Sequence, residues 1–373
     1  MPSLSLAARV ASRADLIRAS DPRAALAHHR LADRLALLPV SPHATVNARI
    51  WSDAAGELGA EVIERERGLL EIRGDGGRST WVWRHVTELD GPVALRLALE
   101  RSLVHRRLAD AGVVTPEHVE APVTRPAPAR VFVAADGGRY VVKPASGTSG
   151  GSGVTCAVQS RGDLLRAWLA AARFDSRIVV EREVPGDMYR VLLLDGEPIG
   201  AVRRRPPSVR ADGRSTLARL IVAENRRRLA AGGSGGLALL RPDLDCVLTL
   251  RAQGLGLRAV PPEGATVAVK TSSSENAPQE NEVVRVDGSE GAVRDAVAAA
   301  AALGLRLAGV DLVTTDLSRG LRATGGAVVE VNGTPGLHYH YLVADPDRAV
   351  RVAVPVLRAL LAGTGGGLGA ASG

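Results

Sequence analysis

The chain has 373 residues, 46% of them hydrophobic and 23% charged, with a net charge of +7. This is enough length for two or three subdomains with cores of their own, and the composition is that of an ordinary globular protein. Three function classes are disfavoured. Aromatics at 3% and scattered basic residues, with runs only at Arg203–Arg205 and Arg226–Arg228, do not suit a nucleic-acid surface. Cys156 and Cys246 are too few for a disulfide framework and lack metal-site spacing. No apolar run is long enough to span a membrane and no signal peptide is visible, so a cytoplasmic chain without a membrane partner is expected.

Taken in order, residues 1–38 are rich in Ala, Leu and Arg at helical spacing, broken near Pro39 and Pro42. Trp51 to Leu58 reads as helix. Three alternating stretches follow, Ala60 to Arg67, Leu69 to Arg73 and Ser79 to Val86, with a turn at Asp75-Gly-Gly. Pro92 to Ala111 reads as one helix with Leu95, Leu99, Leu103 and Leu108 as its apolar positions, capped by Gly112. Val119 to Val133 holds a strand and a short helix, and Asp163 to Ala172 is helical. Arg177 to Glu183 is a strand. Tyr189 to Leu194 and Pro198 to Arg203 form a hairpin across Asp195-Gly196. A loop from Pro206, a helix over Leu217 to Ala231 and a flexible Gly232 to Gly236 come next. Val267 to Thr271 is a strand leading into the polar SSSENAPQEN, and Gly291 to Leu303 is an Ala-rich helix. Val350 to Leu361 closes the fold, with residues 362–373 as a disordered tail.

Two stretches carry chemistry. Gly309 to His340 reads as two strands with a polar turn between them; Asp311 lies in the first, Glu330 and Asn332 in the second. Residues two apart in a strand share a face, so Glu330 and Asn332 point one way while Val329 and Val331 point the other. If the strands pair, Asp311 joins them to give three oxygen ligands of the kind Mg²⁺ takes. The alternative is a strand pair with stray polar residues. Arg139 to Thr155 delivers Lys143 on a short apolar strand and then a Gly/Ser loop whose backbone N–H groups could approach phosphate. It fits neither the Walker nor the dinucleotide pattern, and a flexible linker is the alternative. Of 47 basic residues only Lys143 and Lys270 are lysines, both at the end of an apolar strand beside Ser-rich sequence. A compact ammonium is not interchangeable with guanidinium, so both are read as site residues; chance placement is the alternative.

These residues, VVKPASGTSGGSGVT, then VVEREVPGDMYRVLLLDGEPIGAVRRRPPSVRADGRSTL, GVDLVTTDL and VVEVNGTPGLHYH, resemble the ATP-grasp superfamily. The likeness is greatest to the ATP-grasp part of cyanophycin synthetase and its stand-alone relatives; D-alanine–D-alanine ligase is a more distant cousin. The resemblance covers Leu89 to Leu361 and implies an α+β fold with two subdomains enclosing ATP, preceded by a small N-terminal α/β domain. The corresponding division is 1–90, 91–184 with the Lys strand and Gly-rich loop, 185–361 with the metal site, and the tail.

By motif, the resemblance implies that Lys143 binds the α- and β-phosphates. Ser146, Gly147, Ser149, Gly150, Gly151, Ser152 and Gly153 close over them. Glu181, Arg182 and Val184 belong to the hinge that reads adenine, with Asp187 near the ribose. Arg190, Arg204 and Lys270 contact phosphate or acyl phosphate, and Asp311, Glu330 and Asn332 hold two Mg²⁺, or Mn²⁺. His338 and His340 project beside the acceptor; the alternative is a solvated strand edge, and for His338 that is the expectation. Arg101 stands where relatives carry Lys on the adenine side, and Met188 where they carry an acidic ribose ligand. The segment after Lys270 lacks a Gly-Gly of cyanophycin synthetase, and that enzyme's Mur-ligase-like second half has no counterpart, which argues against polymerisation of an Asp–Arg chain.

The implied activity is ATP-dependent joining of a carboxylate to an amine through an acyl phosphate, with amino acids or peptides as substrates and a homodimer left open. The competing readings are a phosphotransferase that stops at phosphate transfer, a nucleotide-binding regulator without turnover and, on net charge alone, nucleic-acid binding.

Overall fold

The computed structural model describes residues 42–134, 137–146, 151–231, 238–289 and 291–363. The expected helix over 1–38, Gly147, Ser149 and Gly150 of the Gly-rich loop, the Gly232 to Gly236 stretch and the tail beyond Gly363 lie outside these residues.

Along the chain run α1 (Pro42–Glu57), β1 (Glu61–Glu64), β2 (Leu69–Arg73), β3 (Ser79–Trp83), α2 (Pro92–Ala98), α3 (Arg101–Asp110), β4 (His118–Pro122), α4 (Ala127–Ala134) and β5 (Tyr140–Pro144). They continue as β6 (Thr155–Val158), α5 (Arg161–Ala171), β7 (Arg177–Arg182), β8 (Asp187–Leu194), β9 (Glu197–Arg204), β10 (Ser208–Arg210), α6 (Leu217–Ala230) and α7 (Leu244–Ala252). The last are β11 (Thr266–Ala268), β12 (Asn281–Val284), α8 (Gly291–Ala302), β13 (Leu307–Thr314), α9 (Leu321–Thr324), β14 (Ala327–Asn332) and α10 (Ala353–Leu361). The named strands pair antiparallel, and helices pack on the sheets, as in an α+β fold.

The chain divides into two compact units, and each is drawn from separate stretches of sequence. One contains Glu117–Glu183 and Arg205–Glu280; the other contains His43–Pro116, Val184–Arg204 and the chain from Asn281 onward. The first unit has a four-stranded sheet in the order β4-β7-β5-β6 and a β10-β11 pair. Ile178 and Val180 of β7 share a core with Tyr140, Val142, Leu164 and Trp168 from β5 and α5. A second core gathers Val209, Leu217, Ile221, Leu250 and Val267 around β10, β11, α6 and α7.

The second unit is built on a five-stranded sheet in the order β12-β9-β8-β13-β14. Alternation along β8 sends Val191 and Leu193 into a core with the Ala-rich face of α8, and Leu192 and Leu194 into a core with α1, α10 and β2. Each fully buried aliphatic side chain of this kind contributes about 1.5–3 kcal/mol over an exposed one. The hairpin between β8 and β9 turns at Asp195 (φ 51°) and Gly196 (φ 84°), the paired positive φ values of the turn that an Asp-Gly sequence favours.

Several expected elements differ. The helix expected over Pro92 to Ala111 breaks at Leu99 and Glu100, where Glu100 is extended (φ −96°, ψ 92°). Its second half then buries Arg101, Val104, His105 and Leu108, an i, i+3, i+4, i+7 stripe, and Leu99 is left exposed. α7 lies in a stretch to which the sequence assigned no element, β10 lies in the expected loop, and β12 adds an edge strand at the end of the polar segment after Lys270. α9 interrupts the polar turn between β13 and β14.

Candidate active site

In the first unit, β5 carries Lys143 inward and β7 carries Glu181 on the same face, because Val141 stands opposite Glu181 and Lys143 opposite Val179. Both side chains are buried, and Lys143 Nζ meets Glu181 Oε1 at 2.6 Å. The Gly-rich loop leaves β5 at Ser146, whose N–H donates to Asp175 Oδ2 at 2.8 Å. It returns through Gly151 (φ 68°) and Gly153 (φ 78°), with the Val154 N–H donating to Gly151 O at 3.1 Å. A Cβ on Gly151 would stand 2.1 Å from Ser274 Oγ. The described end of the loop therefore lies directly on the Ser272–Ser274 segment, which only a side chain as small as glycine's hydrogen permits. Arg182 points to the surface, donating from Nε to Glu117 Oε2 at 3.0 Å.

Lys270 is enclosed by acid. Its Nζ donates to both Asp243 oxygens (2.8 and 2.7 Å) and to Glu275 Oε1 (3.4 Å), and Asp245 Oδ2 stands 3.9 Å away. Burial works against the charge on Lys270, but the three carboxylates outweigh it and raise the ammonium's pKa. Asp245 is itself deeply buried, and burial lifts its carboxyl above the usual range. Its two oxygens accept N–H bonds from Cys156 (3.0 Å) and Ser272 (3.4 Å), tying the strand after the Gly-rich loop to the Ser segment. The ammonium read from sequence as a phosphate contact is thus engaged within its own unit.

In the second unit, register aligns a polar row across the sheet. Asp311 of β13 stands opposite Arg190 of β8 on one side and Glu330 of β14 on the other, while Asn332 stands opposite Gly309. Arg190 forks onto Asp311, Nε to Oδ1 at 2.6 Å and Nη2 to Oδ2 at 2.5 Å, and Arg204 Nη1 lies 3.8 Å from Oδ2. All three are buried. Burial disfavours the Arg190 charge, and Asp311 more than restores it, so that guanidinium remains charged. Gly309 is required by this fork: a Cβ there would lie 3.2 Å from Arg190 Cδ and 2.7 Å from Pro335 Cβ.

Arg101, turned inward by the helix break, donates from Nη1 to Glu330 Oε1 at 3.3 Å. Asn332 Nδ2 donates to Gly309 O at 3.3 Å, which leaves Oδ1 as the half of the amide able to coordinate. Asp187 pairs with Arg203 at 2.8 Å, and Val184 is the first residue of this unit after the preceding one ends at Glu183.

The metal question is one of donors. Among the described residues no group of three or more His, Cys, Asp or Glu is placed to hold a metal. The set here is two carboxylates and an amide oxygen, which suits a hard cation in kind. An ionised carboxylate has about four lone-pair sites, of which Arg190 takes two on Asp311, so the residues fit Mg²⁺ chemically.

His338 and His340 are both buried, at 6% and 0% exposure. A solvated strand edge, the alternative for these two residues and the expectation for His338, is thereby ruled out: the chain turns into a 3₁₀ segment, Leu337–His340, and packs inward. His340 has no hydrogen-bond partner at either ring nitrogen. Burial, reinforced by Arg190 and Arg204, pushes its pKa down to about 3. Sequence reasoning missed Tyr339, whose ring faces Arg190 and Arg204, and the acids around Lys270. Asp243 and Asp245 show a strand-like i, i+2 spacing, but they lie at a helix start 25 or more residues from Lys270.

No protein-family model matches the sequence. Cyanophycin synthetase of Trichormus variabilis is 29% identical over 309 residues, covering 78% of this chain and 34% of that protein. The glutathione biosynthesis bifunctional protein GshAB of Enterococcus faecalis is 30% identical over 229 residues, covering 59% of this chain and 30% of that protein. The chain thus spans about a third of the length of these relatives. Among solved structures, a bifunctional glutathione synthetase from Pasteurella multocida has a TM-score of 0.49 at 21% identity, covering 83% of this chain and 44% of that one. Aligned with cyanophycin synthetases at up to 30% identity over 72% of its length, and with Lys143, Asp311, Glu330 and Asn332 in the order the motifs require, this chain belongs to the ATP-grasp superfamily.

Proposed function

We propose that the chain is an ATP-dependent ligase joining a carboxylate to an amine through an acyl phosphate. The observation that carries this reading is the buried row Arg204, Arg190, Asp311 and half-exposed Glu330 across neighbouring strands, where cations and oxygen donors are held together. Lys143 and the loop through Gly153 bind the nucleotide phosphates. Glu181 pairs with the charged Lys143 ammonium and keeps it in place on the strand.

In the first step an oxygen of the substrate carboxylate attacks the γ-phosphorus, the bond to the β-phosphate oxygen breaks, and ADP leaves. Arg190 and Arg204 offset charge spread over the phosphoryl oxygens; such transfer is mostly positioning and electrostatics. In the second step the amine nitrogen attacks the acyl carbon, the C–N bond forms, the C–O bond to phosphate breaks, and the amine gives up a proton. Asp311, Glu330 and Asn332 would hold Mg²⁺, two ions by the family pattern, with Mn²⁺ accepted by the same oxygen donors. Bound there, the metal supplies further neutralisation of phosphate charge. Amino acids or short peptides fit as the paired substrates, in keeping with the names of the relatives.

The test is a screen of carboxylate and amine pairs for ATP-dependent phosphate release, with mass spectrometry of the products. Ligation requires release that depends on both partners and a product mass equal to their sum less water. Phosphate transfer without any dependence on the amine would instead mark a phosphotransferase.

A further inference from the structure

The short turn after β14 places an aromatic ring against both buried arginines. Arg204 Cζ lies 4.1 Å from the centre of the Tyr339 ring and Arg190 Cζ lies 5.1 Å from it, both within the range where a guanidinium is attracted to an aromatic face. The two arginines are held differently by acid. Asp311 fixes the plane of Arg190 through a fork, whereas Arg204 meets Asp311 only at 3.8 Å, beyond hydrogen-bond distance.

The ring itself is well anchored. Leu337 on one side of it (2% exposed) and His340 on the other (0% exposed) are buried, and the His338 ring packs on Tyr339 with centroids 4.1 Å apart. Backbone bonds from the N–H groups of Tyr341 and Leu342 to His338 O, at 3.1 and 2.8 Å, close the turn.

We propose that Tyr339 is a positioning residue: its ring is a shared platform that sets the planes of Arg204 and Arg190 so that their N–H edges are presented to phosphoryl oxygens. It is the ring face that both guanidinium groups meet, so phenylalanine should serve as well. An arginine side chain is rich in rotamers, and holding one in a single plane before substrate arrives lowers the ordering cost at the reacting step. The kinetic consequence rests on the ligase reading; the positioning itself does not.

Two measurements on the full chain separate these. The first is rotation about the Nε–Cζ bonds of Arg190 and Arg204, followed by NMR without substrates, with signals assigned from Arg190→Lys and Arg204→Lys. Slow rotation in the parent and in Tyr339→Phe, with faster rotation in Tyr339→Leu, is expected. The second is turnover with any pair that supports phosphate release. Tyr339→Leu should lower kcat roughly tenfold or more, with KM for ATP changing less than about twofold, and Tyr339→Phe should stay within about twofold of the parent. Tyr339→Met replaces Tyr339→Leu if the latter does not fold. Unchanged rotation in the aliphatic variant overturns the inference, as does a Tyr339→Phe variant as impaired as Tyr339→Leu. If no pair supports turnover, the ligase reading fails and the NMR result alone decides the role of Tyr339.

Discussion

Replacing Lys270 by Met removes the cation from a cluster in which Asp243, Asp245 and Glu275 all face its ammonium. Lys270, Asp245 and Glu275 are buried, with exposures of 3%, 1% and 1%. Methionine keeps the volume and removes the cation facing buried Asp245, while Glu275 keeps its pairing with Arg241; breaking a buried ionic group in this way costs about 3–5 kcal/mol. For a domain of roughly 150–250 residues each kcal/mol lowers Tm by about 2–4 °C, so a loss of roughly 6–20 °C is expected in thermal unfolding followed by circular dichroism.

The pH dependence is specific to the cluster. Burial raises the Asp245 carboxyl pKa above its unfolded value, and Lys270 opposes that rise. The folded chain then binds more protons than the unfolded chain between the two values, so this group's penalty is relieved as pH falls through the folded pKa toward about 3.9. Without Lys270 the shift is larger, and the gap in Tm between variant and parent should narrow as pH falls toward that unfolded value. A Lys270→Met variant melting within about 2 °C of the parent, or a gap that does not narrow on acidification, would refute the reasoning.

Glu330→Gln probes the oxygen donors with little structural cost, because the side chain is 37% exposed and its pairing with Arg101 is loose at 3.3 Å. Tm should move by less than about 1 kcal/mol worth of stability, while phosphate release falls about 10²-fold or more; a variant as active as the parent removes Glu330 from the site. Gly151→Ala introduces a Cβ 2.1 Å from Ser274 Oγ at a φ of 68°, so KM for ATP should rise several-fold, and an unchanged KM would mean the loop does not meet the nucleotide through this turn. His340 has a pKa of about 3 against about 6.5 unfolded, so the unfolded chain holds an extra proton between these values and stability is lost as pH falls from 6.5. His340→Leu abolishes no ring hydrogen bond and should flatten the fall in Tm between pH 6.5 and 4.5; equal slopes would contradict the burial of a neutral imidazole.

Local pattern made much of the second unit legible. An Asp-Gly pair between apolar runs announces the β8–β9 turn, and alternation in β14 places Glu330 and Asn332 on one face before any register is known. The pairing of β13 with β14 then determines that Asp311 stands opposite Glu330. What stayed hidden depends on tertiary context. The apolar spacing from Leu95 to Leu108 runs through the break at Glu100, and the new inward face shows only in the packed fold, where Val104 and Leu108 enter the core and Arg101 reaches Glu330. β12 is a four-residue edge strand whose sequence, NEVV, is too short and too polar to stand out. The environment of Lys270 could not be read because two of its three acids come from α7 and the residue before it, a helix with little amphipathic signal. Nor does composition reveal that Val184–Arg204 belongs with His43–Pro116 and the chain from Asn281 while the stretches on either side of it form the other unit.

Ligation through an acyl phosphate is tested most directly by following oxygen. With a carboxylate substrate labelled with ¹⁸O in both oxygens and a productive amine, the released phosphate is analysed by mass spectrometry. One ¹⁸O per phosphate is predicted, because the carboxylate oxygen that attacks the γ-phosphorus leaves with it when the amide forms. Phosphate free of label, with amide still produced, would contradict the mechanism.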